Sequence, residues 1–194
     1  MYLRKLVAPL LASVMLITSP ALPAPAGDDD ALAALQAALP GKLMNDPTRM
    51  DWVVYGRGQK NRRIKTPGVG GGIALQVSSP HAGANPYDIG VNIPLNAPVI
   101  PDQPITVAFW ARTVSAETPD GYGRLGLRIQ MNEAPYAGFG DKMMSIGPDW
   151  QIHEVRARAD RAIGQGGAVI GFQIAAARQV VEIGQIYVLD MSGK

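Results

Sequence analysis

From Trp52 onward the chain alternates apolar and polar residues in short segments separated by Gly- and Pro-rich turns. This period of two is the signature of half-buried strands. It predicts ten of them: 52–55, 62–66, 73–78, 88–93, 105–113, 125–131, 142–146, 151–158, 169–176 and 180–189. No helical period interrupts the series. About ten short strands over some 140 residues predict an all-β fold, a two-sheet β-sandwich or jelly roll. Ahead of the strands, Asp28-Asp29-Asp30 leads into an Ala/Leu run with Leu32, Leu35 and Leu39 on one stripe, and Pro40-Gly41 ends it. Acids at the start, strong helix formers and a Pro-Gly stop predict a short N-terminal helix.

The first residues read as an export signal. Arg4 and Lys5 precede an apolar stretch from Leu6 to Thr18, and Ala24-Pro25-Ala26 offers small residues for cleavage after Ala26. The apolar stretch is short for a membrane span, and Pro20 and Pro23 follow it. The expected organisation is a signal peptide at 1–26, a short helix and linker at 27–44, and a sandwich domain at 45–191. The expected destination is the periplasm or the exterior, with no transmembrane segment after cleavage.

Cleavage changes the charge. The signal carries two of the 18 basic residues and none of the 16 acidic ones, so the mature chain has sixteen of each. A nucleic-acid partner needs a net basic face to displace counterions, and the mature total offers no support for one, so no nucleic-acid partner is expected. Cys is absent, which removes thiolate catalysis, zinc-thiolate sites and disulfides.

Strand parity selects the candidate chemistry. In 105–113 one face carries Ile105, Val107, Phe109 and Ala111, and the other Thr106, Ala108, Trp110 and Arg112. In 125–131 Arg128 and Gln130 lie opposite Leu125, Leu127 and Ile129, and in 169–176 Gln173 lies opposite Ile170, Phe172 and Ile174. If these strands share a sheet, Trp110, Arg112, Arg128, Gln130 and Gln173 line one surface. An indole stacks on the C–H face of a pyranose, and carboxamides and guanidinium groups make forked hydrogen bonds to adjacent hydroxyls. Tyr87 and Tyr136, in Pro/Gly-rich loops, are candidate rim contacts. The competing reading is an ordinary solvated face with one half-buried Trp.

Other motifs carry less. Gly121-Tyr-Gly-Arg-Leu-Gly126 matches a dinucleotide fingerprint as a string, but it runs into a strand and reads as a hairpin turn. His81 and His153 stand in no zinc-protease or hydrolase motif. The four Glu residues, 117, 133, 154 and 182, form no pair recognisable from sequence. Arg57, Lys60, Arg62, Arg63 and Lys65 form a basic run with two readings. One is a patch for an acidic glycan or an anionic envelope; the other, preferred, is a solvated edge strand whose charge discourages sheet-to-sheet association.

Several segments in order resemble a known family: Asn85-Pro-Tyr-Asp-Ile-Gly90, then Ile105 to Arg112 with its Phe-Trp-Ala-Arg, then Leu125–Gln130, Gly147-Pro-Asp-Trp-Gln151, Gly171-Phe-Gln173 and Gln179-Val-Val-Glu-Ile-Gly184. Together they resemble the carbohydrate-binding modules of families 4 and 9, over about 45–191. The resemblance implies a galactose-binding-like jelly roll that binds a polysaccharide or oligosaccharide on its concave sheet or its edge loops. It implies no catalytic residues, no cofactor and a role alone or beside a separate glycoside hydrolase. It also implies a structural Ca²⁺ near the chain ends in many such domains, for which Asp46, Asp51 and Asp190 are loose candidates. The alternatives are an envelope protein-interaction or structural domain on the same fold, and a small glycan-active hydrolase or lyase.

Overall fold

The computed structural model describes residues 28–193. The export signal expected at 1–26 lies outside the described residues. One helix, α1 (Asp28–Ala38), is followed by eleven strands: β1 (Lys42–Leu43), β2 (Val53–Gly56), β3 (Lys60–Lys65), β4 (Ile73–Ser79), β5 (Ile89–Pro94), β6 (Pro104–Ala116), β7 (Gly123–Met131), β8 (Gly138–Ile146), β9 (Gln151–Arg158), β10 (Ala168–Gln173) and β11 (Gln179–Asp190). Among the described residues no helix is long and apolar enough to cross a membrane.

The strands form two antiparallel sheets. The first runs β3-β4-β11-β6-β9, with β1 also paired to β11; the second runs β2-β5-β10-β7-β8. This is a jelly-roll β-sandwich with a short N-terminal helix, and all ten predicted strands are present. Alternation decides which side of each strand is dry. Ile105, Val107, Phe109 and Ala111 of β6 are buried, as are Leu125, Leu127 and Ile129 of β7 and Ile170 and Phe172 of β10. These inner faces meet in one core, where the Phe109 and Phe172 rings pack edge to face with centroids 4.8 Å apart across the two sheets.

Two local expectations need correction. Strand β8 begins at Gly138, not at residue 142, because the ladder continues through a bulge at Gly140, whose φ of 72° a residue with a side chain disfavours. The segment 117–122 is not a hairpin turn: β6 and β7 belong to different sheets, and it carries the chain from one to the other. Gly70–Gly72 forms a 3-10 turn beside β11, behind buried Val69.

Candidate functional site

The outer face of the second sheet is a groove of about 780 Å³. Cross-strand register builds its floor in rows. One row sets Val53 beside Asn92, Asn92 beside Gly171, and Gly171 beside Arg128. The next sets Tyr55, Gly90, Gln173 and Gly126 side by side, and a third holds Val169 and Gln130. These positions face outward because their neighbours Val54, Val91, Phe172, Leu127 and Ile129 face the core.

Glycines make the floor low. At Gly138 a Cβ would stand 2.7 Å from Arg128 Nε, so the bare backbone is what lets the Arg128 side chain lie across β8. There Nη2 donates to the Gly138 carbonyl at 3.2 Å, and Nη1 lies 3.5 Å from Asp141 Oδ1. At Gly171 a Cβ would only touch its neighbours, at 3.4 Å from Gln130 and 3.6 Å from Asn92, and would fill the trough between two carboxamides.

Two groups on this floor are unsatisfied. Asn92 Oδ1 and Arg128 Nε are buried with no hydrogen-bond partner. One is an acceptor beside Gly171 and the other a donor beside Gly138. Leaving a buried polar atom unpaired costs about 1–3 kcal/mol, so such atoms mark places where something else completes the bonding.

The rim is aromatic. Tyr87 is 54% exposed in the 3-10 turn Pro86–Asp88, which Asn85 and Asp88 lock by a reciprocal cap. Tyr136 is 55% exposed and sits at φ 55° in the 132–137 turn, where its N–H donates to the Glu133 carbonyl at 2.8 Å. Tyr55 lies lower, and burial raises the pKa of its phenol, so it stays a protonated donor at neutral pH. Among the described residues the groove lining contains no carboxylate and no histidine, and Arg128 is its one charged side chain.

The structure thus brings together Arg128, Gln130, Gln173, Tyr87 and Tyr136 from the residues expected from sequence. It does not bring Trp110 and Arg112 to them. Both project outward from β6 as parity requires, but β6 lies in the first sheet, on the far side of the sandwich from β7 and β10. Parity sets the face of a strand relative to its own sheet and says nothing of which sheet the strand joins. Arg112 is engaged there: its Nε meets Glu182 Oε2 at 2.6 Å, and its guanidinium lies 5.1 Å from the Trp150 ring centroid. Trp110 stands opposite Ile152 on the same outer face.

The calcium candidates do not converge. Asp46 Oδ1 accepts from the Thr48 N–H and hydroxyl, Asp51 pairs with Arg49 on the surface, and Asp190 accepts from the Ser192 N–H. Among the described residues no three carboxylates or histidines group as a metal site.

Sequence reasoning missed Asn92, Tyr55 and Val53. The signal was present for Asn92, which alternates with Ile89, Val91 and Ile93 inside a predicted strand. Without the strand order, nothing placed it beside Gly171.

No family model and no curated protein matches the chain. Solved structures do. A CBM4 carbohydrate-binding module is 14% identical with a TM-score of 0.55, over 72% of this chain and 94% of that one. The CBM22-1 xylan-binding domain of Xyn10C from Paenibacillus barcinonensis is 9% identical with a TM-score of 0.53, over 77% and 91%. The arabinose-bound α-L-arabinofuranosidase MgGH51 is 14% identical with a TM-score of 0.54, over 71% of this chain but 23% of the enzyme. At these identities the likeness establishes the fold, one shared by carbohydrate-binding modules and by a part of a larger glycosidase.

Proposed function

We propose that the outer face of the second sheet binds a carbohydrate chain without cleaving it, as an exported domain acting alone or beside a separate glycoside hydrolase. The observation that carries this reading is the pair of buried, unpartnered atoms on the groove floor, Asn92 Oδ1 and Arg128 Nε. A sugar hydroxyl both donates and accepts, so hydroxyls spaced along one chain are suited to an acceptor beside Gly171 and a donor beside Gly138. The exposed Tyr87 and Tyr136 rings supply apolar surface for the C–H faces of the same chain. The Tyr87 and Tyr136 rim is exposed, so a ligand there exchanges water for protein contacts and the affinity is modest.

The lining suits binding better than hydrolysis. Glycoside cleavage generally uses two carboxylates about 5–10 Å apart, and Asp141, against Arg128, is a carboxylate at the margin and not a pair. The test is calorimetric titration of the protein with xylan, β-glucan and mannan oligosaccharides, with reducing-end and unsaturated-product assays on the same mixtures. Binding with no new reducing ends or unsaturated products is the expected result. Heat of binding to none of the glycans overturns the reading, and turnover of any of them replaces it with an enzyme.

A further inference from the structure

The strand that carries the basic run is an edge strand. β3 pairs with β4 on one side only and forms one border of the first sheet. Between Asp51 and Asp88 the chain has no acidic residue and five basic ones: Arg57, Lys60, Arg62, Arg63 and Lys65. All five are exposed. The seven ion pairs among the described residues include none of them.

Their geometry is ordered. Register pairs Lys60 with Ser78 and Arg62 with Gln76, which sets both on the outer side of the sheet, about 6.6 Å apart along the strand. Arg63 and Lys65 pair with Leu75 and Ile73, on the core side, and reach past the sheet border. Two guanidinium groups are held by the fold: Arg62 Nε donates to Gln76 Oε1 at 2.9 Å, and Arg63 Nη2 donates to the Met50 carbonyl. Gln76 in turn donates to Glu182 at 2.6 Å, but the charge of Glu182 is taken by Arg112, so Arg62 keeps its own.

Edge protection explains the core-side pair, since inward-pointing charges stop another strand from adding. It does not need Lys60, Arg62 and Arg57 as well, nor a single sign throughout. Four like charges along one strand and a fifth in the turn before it repel one another, and an anion laid along them relieves that repulsion.

We propose that β3 and the preceding turn form a second binding strip, for an acidic polysaccharide with carboxylates repeating along an extended chain. The same inward charges disfavour an acidic peptide adding as a strand. β3 offers no aromatic ring for stacking bases and only half-buried Ile64 as an apolar anchor, which disfavours nucleic acid and a bilayer. The turn Arg57–Gln59 joins β3 to β2, whose Val53 and Tyr55 line the groove. The choice of a glycan as the carrier of the anion rests on the reading of that groove; the anion site itself does not.

The experiment titrates the protein with polygalacturonate and with its fully methyl-esterified, uncharged form. Binding of the acid form alone is expected, weakening steeply between about 20 and 300 mM salt as the Debye length shrinks. The variant Arg57→Gln/Lys60→Gln/Lys65→Gln should lose at least about ten-fold in affinity with an unchanged melting temperature, since these side chains are exposed. Arg128→Ala, in the groove, should retain it. Equal binding of both polymers, an unchanged affinity in the triple variant, or loss in Arg128→Ala would overturn the assignment. Duplex DNA or phosphatidylglycerol vesicles binding as tightly as polygalacturonate would overturn the glycan. Neutral oligosaccharides failing in the groove would sink the groove reading and leave these outcomes standing.

Discussion

Asn92 and Arg128 flank the same glycine: Gly171 pairs with Asn92 on β5 and with Arg128 on β7, and each flanking side chain holds one buried atom with no partner. Two polar atoms desolvated without a partner are a stability cost concentrated at the groove floor. Replacing Asn92 by Ala removes one orphan, so Asn92→Ala should unfold at equal or higher urea concentration, with up to about 1 kcal/mol gained. The same variant should bind oligosaccharide at least about ten-fold more weakly, as expected for losing a buried hydrogen bond. Urea denaturation and calorimetry on one preparation check both halves.

The glycines of the floor differ in what they tolerate. A Cβ at Gly171 meets only ordinary contacts, whereas at Gly90 it would lie 2.5 Å from the Phe172 carbonyl oxygen and from the Tyr55 hydroxyl. Gly171→Ala should therefore fold with nearly unchanged stability and a reduced affinity for glycan. Gly90→Ala should lose about 2 kcal/mol or more, in the range of overpacked sites. Comparing melting curves with binding isotherms separates them.

On the opposite sheet, Glu182 links three strands. It accepts from Gln76 at 2.6 Å and pairs with Arg112 at 2.6 Å, with its side chain 3% exposed and that of Arg112 37% exposed. Glu182→Ala strands both partners. Because Arg112 regains water, the expected loss is about 2 kcal/mol, below the 3–5 kcal/mol of a fully buried pair. Glycan affinity should stay unchanged in this variant and in Trp110→Ala, since both lie across the sandwich from the groove.

His153 faces the core, where its ring stacks on Phe109 with centroids 5.6 Å apart and its Nε2 has no partner. Burial lowers its pKa below the ordinary 6.5. The unfolded chain then binds more protons than the folded one whenever pH lies between the folded and unfolded values, so stability rises with pH through that window. The contribution is complete above about 6.5 and is lost as pH falls toward the folded pKa. Urea denaturation from pH 7.5 down to 5 should show this decline, and His153→Phe should flatten it.

Residue patterning alone located ten of the eleven strands and the dry side of those at 105–113, 125–131 and 169–176, because a side-chain period of two is a local property that each segment carries in its own residues. Ile105 to Ala111 and Leu125 to Ile129 point inward in the sandwich as their alternation requires. Strand order is a different kind of information: it depends on pairings between residues far apart in the chain, and no local pattern contains it. Hence Trp110 and Arg112, on the polar side of β6 as parity demands, share that parity with Arg128 and Gln130 of β7, yet the fold sets the two pairs on opposite faces of the sandwich. Hence too Asn92 and Tyr55, unremarkable in their own segments, became parts of the groove only when β5 paired between β2 and β10.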